Sequence, residues 1–268
     1  YKYKNYQSQD ASFREYGFGA TMDIADHEYI LAGAKLASRS EIFAQCEIIF
    51  SLKLIQPTDY DNIRNGQIIV GWVHPTGSGK DFMRTQVEPK ELVVIDLDNI
   101  YPSLYYKGKT YRIPFIQPNF IRRNSVAAGR AAVLHALMHY GCLPNSNSRV
   151  AILSAGNVAQ GAFETMAKFN ADIRMFYRKT MHEFYNTIDE YDIIVNGIEI
   201  DNCNDHILTL NHLKQIKSGC LVIDAAADAG NAIEGTHFAS FGDPMYKLEK
   251  AYVYCVNNAP TLLYRDAS

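Results

Sequence analysis

Three groups of side chains stand where their type could do chemistry. Lys53 interrupts the apolar run 47–55, and burying an ammonium in such a run is costly unless it is paired or lines a polar cleft. Such a cation suits the carboxylate of an α-keto acid; an edge-strand lysine whose stem reaches solvent is the other reading. His74 closes the run 67–73 and opens the turn Pro75-Thr76-Gly77-Ser78-Gly79. An exposed imidazole there exchanges protons near neutral pH, although a lone histidine also serves as an ordinary turn residue. Asp224 and Asp228 lie at or just past the end of the run 220–225, on the strand edge where parallel sheets bind ligands. They could receive a substrate ammonium, or simply build a turn.

A fourth group points to phosphate. The run 149–153 leads into Ser154-Ala155-Gly156-Asn157-Val158-Ala159 and then into a helical stretch, the strand, turn and helix order of a dinucleotide site. Gly156 would admit the pyrophosphate, Ala159 fits the helix-packing position, and the N–H groups of Asn157 and Val158 open the helix toward the anion. The first glycine of the pattern is replaced by Ser154. Past the second strand, where an acid would accept a ribose 2′-hydroxyl, stand Arg178, Lys179 and Thr180 instead. Two cations and a hydroxyl suit a 2′-phosphate, so the expected cofactor is NADPH. Asn196 and Gly197, ending a third strand, and Asn258, just after the last one, complete the expected cofactor set, with the turn at Asn258 aimed at the nicotinamide.

These residues need elements to hold them. The second half alternates apolar runs at 149–153, 172–177, 192–196, 220–225 and 252–256 with helical stretches at 158–169 and 208–217, the pattern of βαβ units around a parallel sheet. The first half has strands at 46–55, 67–73 and 92–97 between Pro, Gly and Asp turns. Between the halves, 120–140 reads as a helix with a small-residue stripe at Ser125, Ala128, Gly129 and Ala132, which lets a neighbouring backbone approach closely. The expected fold is α/β: two Rossmann-like α/β domains around a cleft, with a substrate domain at 1–118, an interdomain helix at 119–147 and a parallel-sheet dinucleotide-binding domain at 148–268.

Composition narrows the function further. A net charge of −3 argues against a nucleic-acid binder, and no apolar stretch is long enough to span a bilayer. The chain is expected in the cytoplasm. Its five cysteines form no Cys-x-x-Cys pair, which leaves disulfides and zinc ribbons without support. No metal is expected, since the spacing from Cys203 to His206 stands without a second pair.

The segments 48–60, 71–79, 156–163, 174–180 and 226–235, together with most of the chain from Gly17 onward, resemble the alanine dehydrogenase and pyridine nucleotide transhydrogenase superfamily, and within it the branch that makes N5-(carboxyethyl)ornithine. The resemblance implies an NADPH-dependent reductive condensation of pyruvate with the side-chain amine of ornithine, or of lysine. It also implies roles: Lys53 binds the keto acid, His74 is the acid/base and Asp228 is the catalytic-site aspartate. A homo-oligomer is implied too, in keeping with base rates. The alternatives are a related alanine dehydrogenase-like or opine-type reductase with another amine or keto acid, and a non-catalytic NADPH-binding sensor. Two departures accompany the resemblance. The family's Glu-Arg-Arg segment has no counterpart before Gly17, so Arg14 is not given its role. The family also continues past the segment matching 259–268, so the sequence is read as part of a longer chain or as a divergent member.

Overall fold

A computed structural model describes residues 12–75, 78–97, 100, 103–112, 119–200 and 205–267. The chain divides into two compact units, Tyr1–Ile116 and Gln117–Ser268.

In the first unit, β1 (Phe13–Glu15) pairs in parallel with β2 (Lys35–Ala37), and α1 (Asp26–Leu31) lies between them in sequence. The helix α2 (Arg39–Gln45) starts at Ser38, whose hydroxyl accepts the Glu41 N–H while the Glu41 carboxylate accepts the Ser38 N–H. This reciprocal cap satisfies two donors that a helix start leaves open. A parallel sheet then forms from β3 (Ile48–Ser51), β4 (Ile68–Gly71) and β5 (Val93–Asp96). Ile49 and Ile69 enter a core with Phe43, Ile55, Ile63 and Phe82; Ile48, Phe50, Val93 and Ile95, of opposite pleat, are exposed. A short helix, α3 (Lys80–Phe82), runs on as a π-helix to Val87, and β6 (Ser103–Tyr106) and β7 (Lys109–Arg112) make an antiparallel hairpin.

The strands of this unit are shorter than the apolar runs suggest. The Ser51 hydroxyl donates to the Lys53 carbonyl at 2.6 Å, turning the chain out of the sheet. Lys53 therefore sits past the strand end and half-buried, a correction to its reading as a residue inside the strand.

The second unit begins with α4 (Asn119–Tyr140) and continues through β8 (Arg149–Leu153), α5 (Asn157–Met166), β9 (Asp172–Phe176), α6 (Met181–Asn186) and β10 (Ile193–Asn196). It ends with α7 (Leu210–Gln215), β11 (Leu221–Asp224), β12 (Met245–Leu248), β13 (Ala251–Tyr254) and α8 (Tyr264–Ala267). The sheet order is β12-β13-β11-β10-β8-β9, parallel except for β12 at the edge. Val150, Ile152, Val195 and Ile223 enter one core with α4 and α5, while Ala151, Leu153, Ile194 and Val222 enter the other with Phe184 and Leu213. Coverage on both faces is why these strands read as unbroken apolar runs. The strand β12 escapes a sequence reading because it meets β13 through Glu249 and Lys250, which lack the glycine or asparagine that signals a tight hairpin.

The small-residue stripe packs on a helix. A Cβ added at Gly129 would lie 1.9 Å from the Val158 carbonyl oxygen, and one at Gly161 would lie 2.0 Å from that of Val126, so α4 and α5 touch backbone to backbone. No helix of the described residues is long and apolar enough to cross a membrane.

Candidate functional site

Parallel register gathers the candidate residues of the second unit on one edge. Leu153, Phe176, Asn196 and Asp224 stand in line at the strand ends, so Ser154, Tyr177, Gly197 and Ala225 begin neighbouring loops. The chain passes from β8 outward to β9 and then returns to β10 on the other side of β8. Strand order reverses at that point, and open α/β sheets bind ligands in the crevice it leaves.

Ser154 keeps the backbone of the glycine it replaces. Its φ is 116°, a conformation that L-residues rarely adopt. Two hydrogen bonds hold it there: its N–H donates to the Phe176 carbonyl at 2.7 Å, and its hydroxyl accepts the Gly156 N–H at 2.9 Å. A Cβ at Gly156 would meet, among the described residues, just the Ser154 hydroxyl oxygen, at 3.3 Å. The cradle in front of α5 is thus open, with Gly156 capping a helix whose first-turn N–H groups lack intrahelical acceptors. Asn157 and Val158 are half-buried, whereas Ala159 is wholly buried against Gly197, where a Cβ would come within 3.1 Å of the Ala159 backbone nitrogen. The two loops at the strand reversal are therefore in close contact. These residues fit a dinucleotide pyrophosphate.

Beyond β9, Arg178 and Lys179 are exposed in a turn closed by Thr180, whose Oγ1 accepts the Tyr177 N–H at 3.1 Å and donates to the Tyr177 carbonyl at 3.2 Å. The acid that follows, Glu183, pairs with Arg174, so its charge is answered locally.

The two aspartates at the end of β11 and just past it part company. Asp224 is wholly buried, which removes it as a receiver of a substrate ammonium. Its carboxylate accepts the Asn196 side-chain amide at 2.9 Å, the Asp228 N–H at 3.1 Å and the Cys255 thiol at 3.5 Å. Burial pushes it up to about 6, against the pull of these donors. Asp228 is half-buried, and its carboxylate accepts the Ile200 N–H at 2.8 Å and the Asn231 amide at 2.7 Å. Asn196 is buried and ties down its own loop, donating to the Ile198 carbonyl at 2.9 Å and accepting the Ile198 N–H at 3.1 Å. Asn258, in a left-handed conformation, caps the 3-10 helix Ala259–Leu263 after β13.

The first unit has an edge of the same kind. Ser51, Gly71 and Asp96 are in register, and a Cβ at Gly71 would collide with the Ser51 carbonyl oxygen at 2.0 Å. Lys53 and His74 leave the same edge from adjacent strands. The Lys53 ammonium lies 5.6 Å from the centre of the Trp72 ring, a cation–π distance. His74 is exposed with a φ of 49°, and its carbonyl accepts the Gly79 N–H at 3.0 Å, closing a turn whose Thr76 and Gly77 lie outside the described residues. Asp96, which sequence reasoning missed, shares this edge, and its carboxylate accepts the Val73 N–H at 3.1 Å. Among the described residues no group of three His, Cys, Asp or Glu could hold a metal ion; Cys203 lies outside them.

Comparison with known proteins identifies the family and the fold. Residues 13–103 match the family described as alanine dehydrogenase/PNT, N-terminal domain, and residues 145–268 match its C-terminal domain. The chain is 54% identical over 254 residues to a Clostridium botulinum protein named N(5)-(carboxyethyl)ornithine synthase, covering 95% of this chain and 80% of the relative. A Lactococcus lactis protein of the same name is 50% identical over 95% of this chain and 82% of its own length. Among solved structures, an L-alanine dehydrogenase superposes with a TM-score of 0.76 at 19% identity, over 96% of this chain and 77% of that one. A transhydrogenase from Sinorhizobium meliloti gives 0.75 at 18%, over 96% and 80%. At such identities the structures speak for the fold. The chain belongs to the alanine dehydrogenase/PNT family, among the relatives named N(5)-(carboxyethyl)ornithine synthase, and is an oxidoreductase of that family.

Proposed function

We propose that the chain condenses pyruvate with the side-chain amine of a basic amino acid, ornithine or lysine, and reduces the resulting imine with NADPH to an N-(carboxyethyl) amino acid. The observation that carries this reading is the identity of 50–54%, over 95% of the chain, to proteins named for that product.

The amine adds to the keto carbon, water leaves to give the imine, and a hydride and a proton complete the secondary amine. A bound nicotinamide supplies the hydride. Lys53 is assigned to neutralise the keto-acid carboxylate and polarise the carbonyl, and His74 to protonate the departing hydroxyl. Asp228 is assigned to the amine side, its carboxylate held by Ile200 and Asn231. Ser154, Gly156, Asn157, Val158, Ala159, Asn196 and Gly197 are assigned to the dinucleotide backbone and Asn258 to its nicotinamide end. The choice of NADPH over NADH rests on Arg178, Lys179 and Thr180 with no acid among them. A cytoplasmic homo-oligomer completes the proposal.

The test is NADPH oxidation with pyruvate and a panel of amines. Turnover with ornithine or lysine is expected, with the N-(carboxyethyl) product identified by mass. Turnover with ammonia alone would replace this reading with an alanine dehydrogenase-like reaction, the activity named for relatives at 22% identity. Tight NADPH binding without any turnover would make the chain a sensor.

A further inference from the structure

Asp224 is a buried carboxylate on which three segments converge. Asn196 comes from the end of β10, the Asp228 N–H from the loop after β11, and Cys255 from just past β13. Two of these bonds lead on to the candidate site. Asn196 clamps Ile198, and Asp228, anchored through its N–H, accepts the Ile200 N–H on its own carboxylate. The circuit closes: Asp224 holds both ends of a loop-to-loop contact in which Asp228 grips the chain after Gly197.

An apolar residue would fill a buried strand end at no electrostatic cost, and often with a gain in stability. A carboxylate here serves the loops. We propose that Asp224 is a positioning residue, which sets the direction of the Asp228 carboxylate and the height of the 196–200 loop without touching substrate. This rests on the reading that these loops form the reaction site. All three partners donate, so the ionised, acceptor-only form satisfies all of them. A proton on Asp224 turns one acceptor into a donor that faces other donors.

The groups facing Asp224 define its pH behaviour. Burial pushes it up to about 6, the Asp228 carboxylate adds to that push, and Asn196, Cys255 and the Asp228 N–H oppose it. Burial also pushes the Cys255 thiol well up, and lifts Tyr246 of β12 to about 12, so both stay neutral across the working range. Below about pH 6 Asp224 gains its proton, the circuit loses a bond, and activity falls.

The experiment compares the parent chain with Asp224→Asn and Cys255→Ala. It reads kcat, KM and dinucleotide affinity against pH, together with amide hydrogen exchange at Asp228 and Ile200 corrected for intrinsic rates. Asp224→Asn is expected to lower kcat at least about tenfold, the scale of a misplaced reacting group, with KM little changed. The acid limb of the parent should vanish in that variant. Exchange at both amides should accelerate together in Asp224→Asn, and also in the parent below the limb. Cys255→Ala removes a donor, so its acid limb should move to higher pH. Parent-like kcat and acid limb in Asp224→Asn, or an Ile200 amide that stays protected when the Asp228 amide is released, overturns the proposal. If Asp224→Asn does not fold, an unshifted limb in Cys255→Ala overturns it. A parent chain inactive with every keto acid and amine sinks the proposed function instead, and the exchange data then decide Asp224 alone.

Discussion

Ser154 shows what one side chain can do against its own backbone. A residue at φ 116° carries strain on the order of 1–3 kcal/mol, and the bond from Gly156 to its hydroxyl returns part of that. Ser154→Ala keeps the strain and loses the bond, so it should lower stability by about 1 kcal/mol. Ser154→Gly loses the same bond but also the strain, and should stay within about 1 kcal/mol of the parent. Equal urea midpoints for the two variants would reject this account. Arg178 and Lys179 carry a second prediction, about the cofactor. Replacing both with neutral residues should weaken NADPH on the order of 10–100-fold, since charge-assisted bonds to phosphate are the strong ones, while NADH is nearly unaffected. Equal losses for the two dinucleotides would remove the assignment.

At the scale of elements, contact distance and charge decide. The pairing of α4 with α5 has no room for a methyl group, because a Cβ at Gly161 would sit 2.0 Å from the Val126 carbonyl oxygen. Gly161→Ala should therefore destabilise the second unit by about 1–3 kcal/mol despite alanine's better helix propensity; a stabilised variant in thermal melts would show that the helices part easily. In the first unit, Arg39 joins α2 to the segment 57–62 through two bonds of 2.7 Å to the buried Asp59, and it also reaches Glu15 at 2.9 Å. The Arg39 hydrogen bonds hold Asp59 below its ordinary range. A depressed carboxylate stabilises the fold above its unfolded value, and this is lost as pH falls through the folded one. Arg39→Ala should then cost about 1–2 kcal/mol near neutrality, screened because the guanidinium is half-exposed, with the deficit shrinking below about pH 4. A deficit that does not change with pH would point to lost packing instead.

For the whole molecule the separation of cores matters. Among the described residues, one buried cluster belongs to the first unit, and two others, on the two faces of the six-stranded sheet, belong to the second. Residues 117–268 made alone should unfold cooperatively, and NADPH at a hundred times its Kd should stabilise them by about 2.7 kcal/mol. A fragment without a cooperative transition would show that its cores need the first unit.

Part of the fold and of the candidate site is legible in the sequence. Strand and helix alternation in the second half, the turn at Gly156 and His74 after its strand all follow from periodicity and neighbouring residues, because such signals are local to the chain; the exit of Lys53 from its strand did not, since the Ser51 hydroxyl turns the chain there. The edge strand β12 was not legible, since Glu249 and Lys250 carry no turn signal. Neither was the glycine-like backbone of Ser154, whose replacement of a glycine in the sequence says nothing of the φ it adopts. The burial of Asp224 was decided by partners far along the chain, Asn196 being 28 residues away and Cys255 31. Read from its own segment, Asp224 looks as available as Asp228; folding of the sheet encloses one and leaves the other half-open. The sequence by itself determined the central parallel strands of both units, the long helix between them and the chemistry available at the strand ends. Tertiary structure alone decided strand order and which of the two carboxylates is enclosed, because both depend on hydrogen bonds between segments that are distant in sequence.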